Sequence, residues 1–183
     1  ATEEFNTGVA VGAWSTGGDL NTARGSAAAA GTQTAGLAFG GYGPVDAPRS
    51  NQTATETYNG VSWTEVNNLN TARSKLGGAG TQTAALAFGG NSPTKNETET
   101  WNGSNWTEVN NLGTARYGIA GAGTNTAALA FGAYTPPPAV AFTELWNGTN
   151  WTEVNNMNTG RGYLGGVGAT NTAVLGFGGY TRS

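Results

Sequence analysis

The chain has 183 residues, the size of one ordinary domain, with a net charge of −3 and only 10% charged residues. Six Trp, six Tyr and six Phe within a 37% apolar content are too many for a disordered chain, and eight basic residues scattered singly make no nucleic-acid footprint. With no Cys and no His, disulfides, thiolate catalysis, histidine acid/base chemistry and zinc sites of the usual ligands are excluded.

In chain order, Thr2-Glu3-Glu4-Phe5-Asn6 aligns with Glu97 to Asn102 and Trp14 with Trp106, so the N-terminal segment reads as the last two strands of a repeating unit. Asn21-Thr22-Ala23-Arg24 then opens the first full copy. Arginine returns at Arg73, Arg116 and Arg161, in steps of 49, 43 and 45 residues. Phe followed by Gly returns at Phe39, Phe88, Phe131 and Phe177, and Trp closes the units at Trp63, Trp106 and Trp151, with Trp14 an outlying fourth. A period in the forties marks a propeller blade or a solenoid turn.

Within each unit the segment after the arginine is small and glycine-rich: GSAAAAG after Arg24, YGIAGAG after Arg116 and GYLGGVG after Arg161. Ala27 to Ala30 invite a helix, but glycine in the other copies costs a helix about 1 kcal/mol each. A tightly packed innermost strand fits all copies. A polar turn comes next, such as Thr81-Gln82-Thr83, and then a continuous apolar strand such as Ala84 to Phe88, covered on both faces. It stops at a glycine pair, Gly89-Gly90, where positive φ is expected. The loops beyond differ between copies: 42–52, 91–96, and 133–140 with its Pro136-Pro137-Pro138 run. An alternating strand (Thr98-Glu99-Thr100-Trp101), an Asn-Gly hairpin signal and a strand Trp-Thr-Glu-Val complete the unit.

Each unit is therefore a four-stranded antiparallel meander, and the fold class is an all-β, four-bladed β-propeller of 1–183. Its repeats cover about 22–66, 71–109, 114–154 and 159–181, the last completed by 1–16. Residues 159–179 supply two strands of a blade and residues 2–15 the other two, so the N-terminal strands are expected to close the ring. The same halves pairing between chains is the alternative.

The arginine opening the first strand, Phe-Gly-Gly ending the second, an aromatic in the third and a Trp in the fourth resemble the kelch repeat over the full chain. The texture NTARYGIAGAGTNTAALAFG with WNGTNWTEVNNMNTGR resembles kelch-like repeats of marine bacteriophage structural proteins. That resemblance implies a propeller and a virion setting. Four blades are fewer than the six or seven usual in the family.

Candidate binding residues are assigned by position. Tyr42, Tyr134 and Tyr180 each come after a strand-ending glycine region on one face, where exposed rings suit recognition of carbohydrate or protein. Arg24, Arg73, Arg116 and Arg161 stand at the starts of the inner strands, where four cations around one mouth suit an anion; the competing reading pairs them with Glu65, Glu108, Glu153 or loop carbonyls. The tryptophans are expected to pack between blades. Sequons at Asn51, Asn96, Asn102, Asn105, Asn147 and Asn150 arise readily by chance in an Asn- and Thr-rich chain. No catalytic residues, metal ligands or cofactor emerge, and no enzyme activity is expected. No apolar run approaches the ~20 residues of a membrane helix. No signal peptide is visible, but the sequence opens on Ala1 inside a repeat, which fits a processed precursor or a piece of a longer polypeptide.

The expected role is a non-enzymatic structural or adhesive module, extracellular or on a virion surface, recognising a protein partner or cell-surface glycan through inter-strand loops. It is expected to bind no nucleic acid and to insert in no membrane, with a homo-oligomer open. A lectin-like propeller and a lattice or filament subunit are the alternatives.

Overall fold

The structure, a computed structural model, describes residues 1–6, 13–43, 50–91, 93–135 and 138–181. Parts of the variable loops, including Pro136 and Pro137, and residues 7–12 within the expected N-terminal half-blade lie outside these. Every regular element described is a strand. β1 (Thr2–Asn6) and β2 (Ala13–Gly17) form a hairpin. Three four-stranded antiparallel meanders come after it. The first contains β3 (Ala28–Thr32), β4 (Ala35–Phe39), β5 (Thr55–Tyr58) and β6 (Trp63–Val66). The second contains β7 (Gly77–Gly80), β8 (Ala85–Gly90), β9 (Lys95–Trp101) and β10 (Trp106–Val109). The third contains β11 (Ala120–Gly123), β12 (Ala128–Tyr134), β13 (Ala139–Trp146) and β14 (Trp151–Val154). β15 (Gly162–Thr170) and β16 (Ala173–Tyr180) make a second hairpin.

The glycine-rich segments are the innermost strands, and β3, β7, β11 and β15 pack in succession. Side chains are excluded there by distance. A Cβ on Gly78 would lie 2.8 Å from Phe39 Cζ, and one on Gly121 would lie 2.6 Å from Phe88 Cζ. The alanine run is a strand for the same reason: it occupies the slot that glycines fill elsewhere, and its backbone bonds go to β4.

The core lies between the sheets. One buried cluster joins Leu37 and Phe39 of the first sheet to Leu76, Ala87, Trp101 and Trp106 of the second. Another joins Leu86 and Phe88 to Ile119, Ala130 and Trp146 of the third. The tryptophans of the fourth strands span these junctions, as their recurrence predicts. Trp106 packs on Phe39 at 4.9 Å and donates its indole N–H to Thr55 Oγ1; Trp151 packs on Phe88 at 5.1 Å and donates to Thr98 Oγ1.

The Val-Asn-Asn stretch after each fourth strand has two tasks. Asn68, Asn111 and Asn156 each accept a backbone N–H of the third strand, that of the threonine paired with the second-strand Phe: Thr55, Thr98 and Thr143. Asn67 and Asn110 instead reach the hairpin turn of the next sheet, at Asn105 and Asn150. The Asn-Gly hairpins form, but as four-residue connections. Asn59, Asn102 and Asn147 turn their side-chain oxygens onto backbone N–H groups two and three residues ahead, in the manner of an Asx turn.

The glycine pairs also join neighbours. The N–H of Gly41 donates to Arg73 O and that of Gly90 to Arg116 O. In the third unit Ala133, at φ 149, takes the glycine's place and donates to Arg161 O.

At the ends the structure departs from the expected ring. β1–β2 and β15–β16 are separate two-stranded sheets, and the fourth blade is not joined among the described residues. β1–β2 lies against the first sheet as the outer half of a preceding blade does: Trp63 donates to Thr2 Oγ1, and Gln33 to Phe5 O. β15–β16 lies against the third sheet, with Gly166 beside Phe131. One departure of the repeat bears on the open junction. Ala29 of β3 stands where the other inner strands carry Gly78, Gly121 and Gly166, so a methyl group occupies space that a neighbouring Phe ring takes elsewhere.

Candidate functional site

The arginines build the scaffold beneath the site. Arg24 donates to Glu56 at 2.7 Å, Arg73 to Glu99 at 2.8 Å, and Arg116 pairs with Glu144 at 3.1 Å, each within one sheet and with side chains essentially sealed from solvent. The arginine loop also wraps the glutamate with main-chain donors: Asn21 N and Thr22 N on Glu56, Asn70 N and Thr71 N on Glu99, Gly113 N on Glu144. Burial opposes ionisation of Glu56, but the Asn21 and Thr22 amides and the Arg24 guanidinium outweigh it and hold the carboxyl below its ordinary value. Burial likewise lowers Arg73 and Arg116, countered by Glu99 and Glu144. These charges are spent inside the protein, so the three guanidinium groups present no cationic ring to an anion from solvent. The partners are the third-strand glutamates; Glu65, Glu108 and Glu153 sit directly opposite them on the outer strands. Arg161, in the C-terminal hairpin, donates to Gly178 O.

Just past the arginines, the chain enters the mouth of the array. Ser26, Lys75, Gly118 and Tyr163, each two positions after an arginine, all have φ between 53° and 64°. They form a backbone belt from unit to unit: Lys75 N donates to Ser26 O at 2.9 Å, Gly118 N to Lys75 O at 2.7 Å, and Tyr163 N to Gly118 O at 2.8 Å. The residue just after each arginine bridges to the end of the second strand, pairing Gly25 with Tyr42, Tyr117 with Tyr134, and Gly162 with Tyr180.

This framework gathers five tyrosines and one lysine at a single mouth. Lys75 Nζ lies 5.5 Å from the Tyr42 ring centroid, 5.4 Å from Tyr117 and 5.5 Å from Tyr163. Tyr117 stacks on Tyr134 at 5.9 Å, Tyr134 meets Tyr163 at 5.5 Å, and Tyr163 meets Tyr180 at 6.4 Å. Hydrogen bonding to Tyr163 and Tyr42 raises the Lys75 ammonium above its ordinary value against the effect of burial, so it stays charged. Tyr42 is lowered, chiefly by the neighbouring Ser74 side chain and then, against burial, by Lys75 and Asn91. An ammonium facing three rings is a cation–π arrangement whose charge still projects a field into the mouth.

Tyr42, Tyr134 and Tyr180, the tyrosines read from sequence, thus meet at one place. Tyr42 is half-buried, Tyr134 is buried with its hydroxyl on Tyr180 O, and Tyr180 is exposed. Lys75, Tyr117 and Tyr163 were not legible as members. Their signal is positional: each lies one or two residues past a repeat arginine. The four inner strands and the belt define an all-β array of blade-like sheets with an aromatic mouth. No family model and no curated protein matches the chain.

Proposed function

We propose that this chain is a non-enzymatic structural or adhesive module of a virion or other extracellular assembly, recognising a partner surface at the tyrosine–lysine mouth. Its scaffold on this reading is a four-bladed ring of the kelch-like kind. The observation that carries the reading is the cluster itself. Tyr42 comes from the first unit, Lys75 from the second, Tyr117 and Tyr134 from the third, and Tyr163 and Tyr180 from the C-terminal hairpin. Rigid rings beside an ammonium supply contact area at low entropic cost and a fixed charge for orientation. The variable loops spring from the ends of the same second strands.

The exposed faces of Tyr163 and Tyr180 also favour the lectin-like reading, since aromatic faces stack on sugar rings. A glycan array probed with the fluorescent chain and with its Tyr163→Ala/Tyr180→Ala variant separates the two. Binding to particular glycans that the variant loses makes the module a lectin. Particles or cells bound by the wild type but not the variant, with no glycan bound, make the partner a protein surface. Binding that survives the double substitution removes the mouth from the mechanism.

A further inference from the structure

We propose that β16 and β1 pair edge to edge to complete a fourth blade, with Glu3 entering the Arg161 cradle and Phe177 entering the slot beside Trp63. This rests on the ring reading of the fold and names the contacts that close it.

The register is fixed by the complete sheets. In each, the second-strand Phe pairs with the third-strand Thr and the residue before it with the buried Glu: Phe39 with Thr55 and Ala38 with Glu56, Phe88 with Thr98 and Ala87 with Glu99, Phe131 with Thr143 and Ala130 with Glu144. Thr2 already accepts the Trp63 indole, as Thr55 accepts that of Trp106, so Glu3 is the counterpart of Glu56. The same register places Phe177 opposite Thr2, Gly176 opposite Glu3 and Leu175 opposite Glu4.

Each end then presents what the other requires. Arg161 has the loop of its siblings, but where Arg24, Arg73 and Arg116 each meet a third-strand glutamate, its guanidinium donates to Gly178 O and has no carboxylate beside it among the described residues. A groove of about 350 Å³ lies between Arg161, Asn158, Thr159, Thr143 and Phe131, where a glutamate and the fourth-strand Trp sit in the complete blades. At the opposite end a groove of about 330 Å³ is bordered by Glu3, Ala29, Leu37 and Trp63. It matches the seats of Phe39 on Trp106 and Phe88 on Trp151. The side chains absent from these grooves are exposed: Trp14 at 68% and Phe177 at 51%.

The occupant is the chain's own other end. Lys75 already lies within 5.5 Å of Tyr42 in the first unit and of Tyr163 in the last, so the array curls until its two ends share one mouth. A contact within the chain then has a high effective concentration over one between copies. Ala29 loosens this junction relative to the other three, because its methyl lies where Gly78 and Gly121 leave room for a Phe ring.

Because the chain has no cysteine, Glu4→Cys with Leu175→Cys reports the pairing directly under mild oxidation. A disulfide at monomer mass is expected in most molecules. Disulfide-linked dimers, or thiols that stay free in a chain whose circular dichroism matches the wild type, overturn both closure and the ring. The latch is read separately by adding Glu3→Gln, which is expected to slow cross-linking roughly tenfold or more, as loss of charge-assisted hydrogen bonds should. An unchanged rate leaves the ring standing and removes the Glu3–Arg161 contact. Ala29→Gly is expected to speed cross-linking, and no change there removes its methyl as the cause of the loose junction.

Discussion

β8 and β16 carry nearly the same sequence, Ala-Leu-Ala-Phe-Gly-Gly against Val-Leu-Gly-Phe-Gly-Gly, and occupy the same place in their units. β8 is buried along its whole length. In β16, Leu175 is 62% exposed and Phe177 more than half. The difference comes wholly from neighbours: β8 has β9 at its edge and a sheet on each face, whereas β16 has β15 at one edge and the third sheet on one face. Burial in this protein is a property of the junction between units. That is the behaviour of a quasi-one-dimensional repeat, whose stability resides in nearest-neighbour interfaces.

The comparison breaks most decisively at the buried ion pairs. Glu99→Ala leaves the Arg73 guanidinium sealed from solvent with Glu97 O as its remaining acceptor, and is expected to cost about 3–5 kcal/mol in urea unfolding. Glu108→Ala, directly across the hairpin on the exposed outer strand, is expected to fall within about 0.5 kcal/mol of wild type. Equal costs at the two sites would dissolve the distinction between strut and surface.

The fold was legible because its anchors repeat. Phe, Trp and the glycine-rich inner strand are single residues or slots that recur at one place per unit, and packing between sheets demands each of them. The glutamate partners were less legible because Glu99 and Glu108 sit opposite one another on alternating strands of similar pattern. Which is buried depends on where the Thr-Ala-Arg loop crosses the sheet, a tertiary fact. The mouth was half legible. Tyr42, Tyr134 and Tyr180 share a strand end, but Lys75 joins them only because the array curls, and its own unit has Asn91 where the first and third have tyrosine. The open ends were not legible, since the sequence offers matching halves and no measure of the distance between them.

A smaller effect sharpens the same contrast in hydrophobic terms. Leu86→Ala removes a wholly buried side chain from the junction of the second and third units and is expected to cost about 2–5 kcal/mol. Leu175→Ala at the matching position of β16 is the informative partner. The closed fourth blade proposed above predicts a cost approaching that of Leu86→Ala, whereas an end left open in solution predicts less than about 1 kcal/mol, because the side chain is then largely in water. A cost close to that of Leu86→Ala means that β16 is covered in solution. Chemical denaturation of the two variants side by side reads the difference.

The smallest expected effect is at Ala133, where one middle unit departs from the others. Gly41, Gly90 and Gly179 hold φ values of 110°, 126° and 87° at this position, and Ala133 holds 149°. Its N–H is needed by the Arg161 carbonyl of the next unit, so the junction forces a glycine conformation on a residue with a Cβ. Strain of this kind costs about 1–3 kcal/mol. Ala133→Gly relieves it, but gives back about 0.5–1 kcal/mol in chain entropy and about 0.8 kcal/mol for the lost buried methyl. The balance favours glycine slightly, so a rise of about a degree or two in melting temperature is expected by calorimetry. Gly90→Ala runs the same exchange in reverse with less room, since a Cβ there lies 3.1 Å from Ser74 O, and is expected to destabilise. A fall in melting temperature for Ala133→Gly would mean that the methyl's packing outweighs the strain, and that this junction has adapted its neighbours to the side chain where the other junctions exclude one.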